Sequence, residues 1–472
     1  MSRTTQLLKN TGILMLAKIS TQVVSFLLLP LYTALLTTED YGRVDIYTSL
    51  AMIVIPFLTL QVEMALFRFF ITDKDQASQK EIVSTSYAII AGMTFIISVI
   101  YLIISDVLEL PYRWILFAYY VLQALAAVLL QTCRARGDNF GYGMASFISS
   151  ALAVLLNALF IAGLGWRVEG ILTASIIAQL VSCVYMLCRT KIHRYLSIAF
   201  ISVERGRQLL DYAIPLVFNQ IASWGINYSN RLIIVANWGE GINGIFSVAS
   251  KFSNITGTFF NVYNIAWTEN VVRSMSDEDG TSYISRMFEF TFNVYLMLIT
   301  GVINLLPFMF GFMVNEAFHD AYHHVPILLV GMLFSGMAAT LGSIFIAYGK
   351  TREVSTTTML AGVCNIALHF FLLKRCGLYA ASISTLVSFV ALFAYRGITI
   401  RKFFNIRFSI VRIIPQLVVL AFSWVAYSTD SAMIILIGFF MNLVCIMWLI
   451  YKNKDMIKML MKAKQFMRRE RC

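Results

Sequence analysis

The sequence predicts an all-α integral membrane protein with about fourteen transmembrane helices. Three observations predict it. Of 472 residues, 59% are hydrophobic and only 13% charged, with mean hydropathy +0.74; a soluble domain carries about 25% charged residues. Apolar runs of the length needed to cross a bilayer, about 20 residues, recur along the whole chain. Lys and Arg alternate in density from loop to loop, as they do in polytopic proteins.

The runs fall at 11–36, 44–70, 84–104, 113–133, 141–163, 169–188, 208–233, 243–266, 284–306, 325–347, 355–373, 378–398, 409–428 and 432–451. At about 34 residues per span and loop (472/14), no soluble domain fits. Arg3 and Lys9 precede the first run, and no small-residue cleavage site follows it, so it reads as a retained span. With the N-terminus inside, 26 Lys and Arg fall in inside segments and 6 in outside segments. That bias places both termini in the cytoplasm and favours an even span count. The net charge of +12 is then mostly loop charge facing anionic lipid, and no nucleic-acid partner is needed. The basic tail 452–472 spaces Met456, Ile457, Leu460 and Met461 as a surface-lying amphipathic helix. The seven cysteines form no CxxC pair and read as free thiols.

An internal repeat organises the spans. QLL at 6–8 recurs at 208–210, and the same offset of 202 carries Gly42 to Gly244. Further on, GILTASI (170–176) resembles GLYAASI (377–383), an offset of 207, with Asn157 and Asn365 upstream of each. Span 1 and span 7 run in the same direction, so the repeat is parallel, about an axis along the membrane normal. The expected units are 1–200 (spans 1–6), 201–402 (spans 7–12), 403–451 (spans 13 and 14) and the tail 452–472. A cleft between two such lobes is where alternating-access transporters bind substrate.

Charged groups inside spans cost several kcal/mol unless they pair or meet water. Polar stripes therefore mark candidate cleft positions. Lys18, Gln22 and Ser25 share a face of span 1; Asp45, Thr48, Thr59 and Glu63 can share one of span 2. Asn219, Ser223, Asn227 and Asn230 line span 7, and Ser247, Lys251, Asn254, Thr258 and Asn261 line span 8. These are equivalent spans in the repeat. In LTLQVEMALFRFF (58–70), Glu63 and Arg68 are separated by about 140° around a helix and so do not pair. Lys18 lies at a similar depth on the antiparallel neighbour and is the expected partner of Glu63. The in-span cations Lys18, Arg68, Arg231, Lys251 and Arg286 outnumber the acids Glu63 and Glu289, which suits an anionic ligand. The candidate cavity residues are Lys18, Gln22, Glu63, Arg68, Asn227, Arg231, Lys251, Asn254 and Asn261. FHDAYHH (318–324) lacks the HExxH pattern and reads as a solvated turn, and no catalytic residues or metal ligands are expected. His369 reads as a packed, hydrogen-bonded core residue.

The opening LLKNTGILMLAKISTQVVSFLLLPLYTALLTTEDYG, followed by LQVEMALFRFF, resembles polysaccharide-biosynthesis flippases of the multidrug/oligosaccharidyl-lipid/polysaccharide (MOP) exporter superfamily. So do YGKT (348–351), Asn365 and CGLYAASIST (376–385), with His369 departing where that pattern has Asn. The resemblance implies two bundles around a cationic cavity. It implies a non-enzymatic transporter that flips undecaprenyl-pyrophosphate-linked oligosaccharide, for O-antigen, capsule or exopolysaccharide, from the cytoplasmic to the periplasmic leaflet. It implies no cofactor beyond a coupling H+ or Na+. Partners are the lipid-linked oligosaccharide and membrane lipids, with a polysaccharide polymerase and a chain-length regulator as further candidates. On this expectation Lys18, Arg68 and Lys251 meet pyrophosphate, while Gln22, Asn227, Asn254 and Asn261 meet sugar hydroxyls; Glu63 is either an ion relay or the counter-ion of Lys18. The alternatives are a peptidoglycan lipid-precursor flippase and an ion-coupled drug antiporter on the same fold, the latter expected to have an acidic cavity. A membrane polysaccharide polymerase usually needs a large outside loop with catalytic residues, and none is present.

Overall fold

A computed structural model describes residues 26–452 apart from 74, 276–279, 405, 407–412 and 430. The helices are α1 (Leu29–Leu35), α2 (Thr38–Thr59), α3 (Val62–Thr72), α4 (Gln76–Val107), α5 (Arg113–Ala135), α6 (Asn139–Asn157, continued by a π turn, Ala158–Gly163) and α7 (Val168–Thr190). They continue with α8 (Val203–Asn227), α9 (Ser229–Ser274), α10 (Gly280–Met313), α11 (Ala321–Ala347), α12 (Thr351–Cys376), α13 (Tyr379–Ile400), α14 (Ile414–Ser428) and α15 (Ala432–Lys452). Among the described residues, eleven segments are long and apolar enough to cross a membrane, and α14 is a shorter apolar helix. The second to fourteenth predicted spans each contain a helix. The chain is a multi-pass, all-helical membrane protein.

Local chemistry sets the ends. Thr37 and Asp40 form a capping box at the start of α2: the Thr37 hydroxyl accepts from Asp40 N (3.1 Å) while the Asp40 carboxylate accepts from Thr37 N (3.4 Å). Asp75, Asp138 and Ser202 cap α4, α6 and α8 by accepting from the backbone N–H of Ser78, Gly141 and Arg205. The Asp138 carboxyl also accepts from Arg189 (2.5 Å), and that bond holds it below the usual carboxylate range. α9 is two helices joined at Gly239, whose φ of 82° takes a left-handed conformation that glycine tolerates.

Two breaks interrupt expected continuous spans. Span 7 ends at Asn227 and restarts at Ser229, with Tyr228 at φ −130°. Span 2 breaks at Leu60 and Gln61, both left-handed (φ 49° and 57°). This second break corrects the expectation of one polar face on span 2. Asp45 and Thr48 belong to α2, while Glu63 belongs to α3, and the left-handed pair resets the helical phase between them.

In lipid, helices gain little from hydrophobic burial against each other, so close van der Waals packing carries the association. α2 packs on α9, α9 on α11, α11 on α13, and α12 on both α8 and α13; α7 packs on α5 and α6. α14 and α15 pack on α10 and on each other, with Asn442 Nδ2 donating to Met297 O (3.2 Å).

The α2–α9 contact carries the signature of the repeat. A Cβ on Gly42 would collide with the Glu240 carbonyl oxygen and come within 2.7 Å of Gly244 N. A Cβ on Gly244 would collide with the Thr38 carbonyl oxygen and come within 3.1 Å of Gly42 N. Thr38 and Glu240 are 202 residues apart, as are Gly42 and Gly244. The pattern repeats one turn on. Asn243 Nδ2 donates to Asp45 (3.4 Å) and Tyr41 lies beside Ser247, with 202 residues separating both Tyr41 from Asn243 and Asp45 from Ser247. Reciprocal contacts of this kind occur where a two-fold axis passes through an interface.

The contact seals one end of the protein, together with Arg43 Nε to Glu240 (2.6 Å) and Arg167 to Asp40 (3.4 Å). At the opposite end Arg205 on α8 reaches Ser78 Oγ (2.9 Å) and Glu81 (3.5 Å) on α4. Gly42→Ala opens the first seal: a cysteine at Ser247, in a background without other reactive thiols, reacts at least about tenfold faster with an impermeant reagent than it does with Gly42 intact, because about 1.4 kcal/mol of lost closure already gives a factor of ten. Equal rates would show that the glycine contact does not hold this end shut.

Candidate functional site: a cationic polar cavity

Beneath the Gly42–Gly244 contact lies a cavity of about 760 Å³, within the range of about 300–1,000 Å³ typical of ligand pockets. α2 supplies Asp45, Thr48 and Ser49; α8 supplies Gln220, Ser223 and Asn227; α9 supplies Arg231, Ser247, Lys251, Asn254, Thr258 and Asn261; α11 supplies Ser335. The i, i+4, i+7, i+11, i+14 spacing on α9 keeps Ser247 to Asn261 on one face, and that face is the longest polar wall of the cavity.

Its charges form one group. Arg231 Nε donates to Asp45 Oδ2 (2.7 Å), Arg231 Nη1 donates to Asn227 O (3.0 Å), and the guanidinium stands over the Tyr228 ring (5.1 Å). Asn243 Nδ2 donates to Gly42 O (2.9 Å) and reaches the same Asp45 oxygen. Lys251 lies within the electrostatic reach of both Asp45 and Arg231. Among the described residues the lining holds two cations and one carboxylate. An anionic group with several oxygens can be held here by charge-assisted hydrogen bonds, while the amides of Asn227, Asn254 and Asn261 present both donors and acceptors to hydroxyls.

Of the residues singled out in the sequence, Asn227, Arg231, Lys251, Asn254 and Asn261 meet in this cavity. Lys18 and Gln22 lie outside the described residues, and the expected Lys18–Glu63 pair lies outside with them. Glu63 does not line the cavity. It sits in the first turn of α3, 4% exposed, with Oε2 unpartnered among the described residues; a helix N-terminus favours a carboxylate there. The Leu60–Gln61 break turns it away. Arg68 is also outside the cavity, exposed near the far end of α3, with its guanidinium 4.5 Å from the Tyr212 ring of α8. Asp45 is the residue the list lacks. Its signal in the sequence is the i, i+3 spacing from Thr48 on the span 2 stripe. Asn230 turns from the cavity toward α12 and α13. His324 is buried against Ser382 (3.0 Å), so FHDAYHH is not wholly solvated as expected.

Residues 7–268 match the family described as polysaccharide biosynthesis protein. The chain belongs to that family. It is 21% identical over 404 residues to the capsular polysaccharide biosynthesis protein CapF of Staphylococcus aureus, covering 82% of this chain and 98% of that one. It is 20% identical over 374 residues to an uncharacterized membrane protein of Haemophilus influenzae (75% and 87%). Among solved structures, the lipid II flippase MurJ in an inward closed conformation aligns with TM-score 0.73 at 13% identity, over 95% of this chain and all of that one. A multidrug resistance MATE transporter of the MOP superfamily aligns with TM-score 0.67 in its inward-facing conformation, at 15% identity (82% and 98%). These likenesses establish the fold.

Because the Arg231–Asp45 pair is buried and joins α9 to α2, removing either partner strands the other. Asp45→Ala and Arg231→Ala each destabilise the detergent-solubilised protein by about 3 kcal/mol, and the double variant costs less than the sum. Additive losses in a thermal or denaturant melt would show that the two charges do not depend on each other.

Proposed function

We propose that this protein flips an undecaprenyl-pyrophosphate-linked oligosaccharide across the cytoplasmic membrane for the synthesis of a surface polysaccharide such as capsule, exopolysaccharide or O-antigen, by alternating access. The observation that carries the reading is the cavity between the repeated halves, positively charged at Arg231 and Lys251, amide-rich along α9 and closed at the Gly42 end. The pyrophosphate meets Arg231 and Lys251, and Lys18 from span 1 joins them. Sugar hydroxyls meet Gln22, Asn227, Asn254 and Asn261. Arg68 stands at the mouth of the entry path. With the Lys- and Arg-poor loops outside and both termini cytoplasmic, the Gly42 end faces the periplasm, and the proposed cycle opens that end after loading from within.

Family membership supports a polysaccharide intermediate over a peptidoglycan precursor, which shares the pyrophosphate. The excess positive charge argues against a cationic drug as cargo. The coupling ion is H+ or Na+, and Glu63 is either its relay or the counter-ion of Lys18. Polymerase and chain-length regulator belong to the same proposed pathway as receivers of the flipped unit.

Deletion and complementation test this reading. Without the protein, lipid-linked repeat units accumulate on the inner leaflet and surface polysaccharide is lost. Lys251→Ala and Arg231→Ala, at unchanged membrane level, each reduce export about 30-fold, the loss of one charge-assisted bond of about 2 kcal/mol. Units that still reach the outer leaflet in the deletion strain would refute the flippase reading; wild-type export in both variants would remove the cavity assignment.

A further inference from the structure

The segment that joins the repeated halves, 191–202, is bolted to the surface of the first half. Lys191 takes a left-handed conformation (φ 47°) that ends α7 and turns the chain sideways. Two short 3-10 turns follow, Ile192–Arg194 and Ile198–Phe200. Two adjacent hydroxyls of α4 hold them. Ser84 Oγ donates to Tyr195 O (2.9 Å) and accepts from Ser197 N (3.1 Å), while Thr85 Oγ1 accepts from Ser202 N (3.1 Å). Ile192 is buried, and the Tyr195 ring packs on Phe70 of α3 (6.1 Å between ring centres). Other side chains point the opposite way. Ile198 and, at the start of α8, Val203 are 88% and 90% exposed, with Leu196 and Ile201 exposed beside them.

The anchors fix the depth of the segment. The apolar run within α4 begins at 84, that of α7 ends at 188 and that of α8 begins at 208. The segment crosses α4 at Ser84 and Thr85, so it lies where these three helices pass through the membrane surface. Cations collect at the same level. From 191 to 207 the chain carries Lys191, Arg194, Arg205 and Arg207 against the single acid Glu204. Arg205 is taken up by Ser78, Glu81 and Asp73, while Lys191, Arg194 and Arg207 are exposed. Lys80 of α4 stands over the Phe200 ring (5.6 Å), and Arg136, just after α5, over the Tyr195 ring (5.2 Å). Exposed aliphatic groups flanked by cations suit the interface of a bilayer. The aliphatic groups enter the boundary between headgroups and acyl chains, and the charged ends stay with the phosphates.

We propose that this segment is an interfacial strap that binds anionic phospholipid headgroups of the adjacent leaflet, with Lys191 and Arg194 on the phosphates and Ile198 and Val203 among the upper acyl carbons. The depth of the strap sets lipid against its aliphatic side chains, where a soluble partner would have to displace it. The cations favour an anionic headgroup over a zwitterionic one, since each Lys or Arg near the surface adds attraction to negative lipid. The strap is also the covalent link between the repeated halves, so a headgroup held here sits at the pivot of the proposed rocking. That role rests on the flippase reading; the lipid binding does not.

The test uses the full chain in lipid nanodiscs, with an environment-sensitive fluorophore on Ile198→Cys in a background without other reactive thiols. Val203→Cys carries the same label if the first variant fails to reach the membrane. Nitroxides attached to acyl chains just below the headgroups quench the fluorophore more strongly than aqueous iodide does. The same nitroxide on phosphatidylglycerol quenches more than on phosphatidylcholine at equal content. Lys191→Gln together with Arg194→Gln lowers that preference at least about fivefold, the worth of one surface cation. Stronger quenching by iodide puts the strap in water, open to a soluble partner, and overturns the proposal. A headgroup preference unchanged in the double variant overturns it too. So does a preference abolished by inorganic phosphate at constant ionic strength, which marks a site for a free anion. Fluorescence quenching reads none of the transport activity, so its outcome stands apart from that of the deletion strain.

Discussion

Gly42 and Gly244 touch backbone to backbone, and the remaining architecture is arranged around that contact. Two membrane helices approach so closely only where side chains are absent. Because the two glycines are equivalents in the repeat, each meets the carbonyl that corresponds to the one met by its partner, Glu240 for Gly42 and Thr38 for Gly244. The contact brings Asp45 and Asn243 within reach of each other, holds α2 on α9, and roofs the cavity beneath it.

The electrostatics of the cavity follow from the same placement. Asp45 projects from α2 one turn below the roof, and Arg231 comes from the helix that restarts after Tyr228. Their pairing is both a counter-ion arrangement and a tie between the two halves. A ligand anion that competes for Arg231 therefore competes with a structural tie, so occupancy of the cavity and cohesion of the roof share one guanidinium. Lys251, lower on α9, adds positive charge without belonging to that pair.

The span pattern was legible because hydrophobic run length and loop charge are properties of composition, which tertiary packing does not rearrange. Gly42 and Gly244 could be paired from sequence because they stand at one offset, and in the structure they meet at one close approach. The polar wall of α9 could be read from spacing, as an unbroken helix preserves the phase from Ser247 to Asn261. Glu63 could not be placed, since its phase depends on two non-glycine residues adopting left-handed conformations, and neither Leu60 nor Gln61 announces that in sequence. Asn230 was assigned to the cavity stripe for the same reason in reverse: the Tyr228 break rotates it into α12 and α13. Asp45 stands only one residue inside the second apolar run, where a carboxylate reads as surface-facing, and the α2–α9 contact is what brings it over the cavity.

The break at Leu60–Gln61 also has a mechanical meaning. The upper part of span 2, α2, rests on α9 at the roof; the lower part, α3, rests on α5, α4 and α8. An unbroken rod of that length would transmit every tilt at one face of the membrane to the other as an equal and opposite swing. A joint at mid-depth removes that lever. The roof contact and the floor contact can then loosen in turn, and the left-handed pair, costing about 1–2 kcal/mol per residue, is the elastic element that separates them.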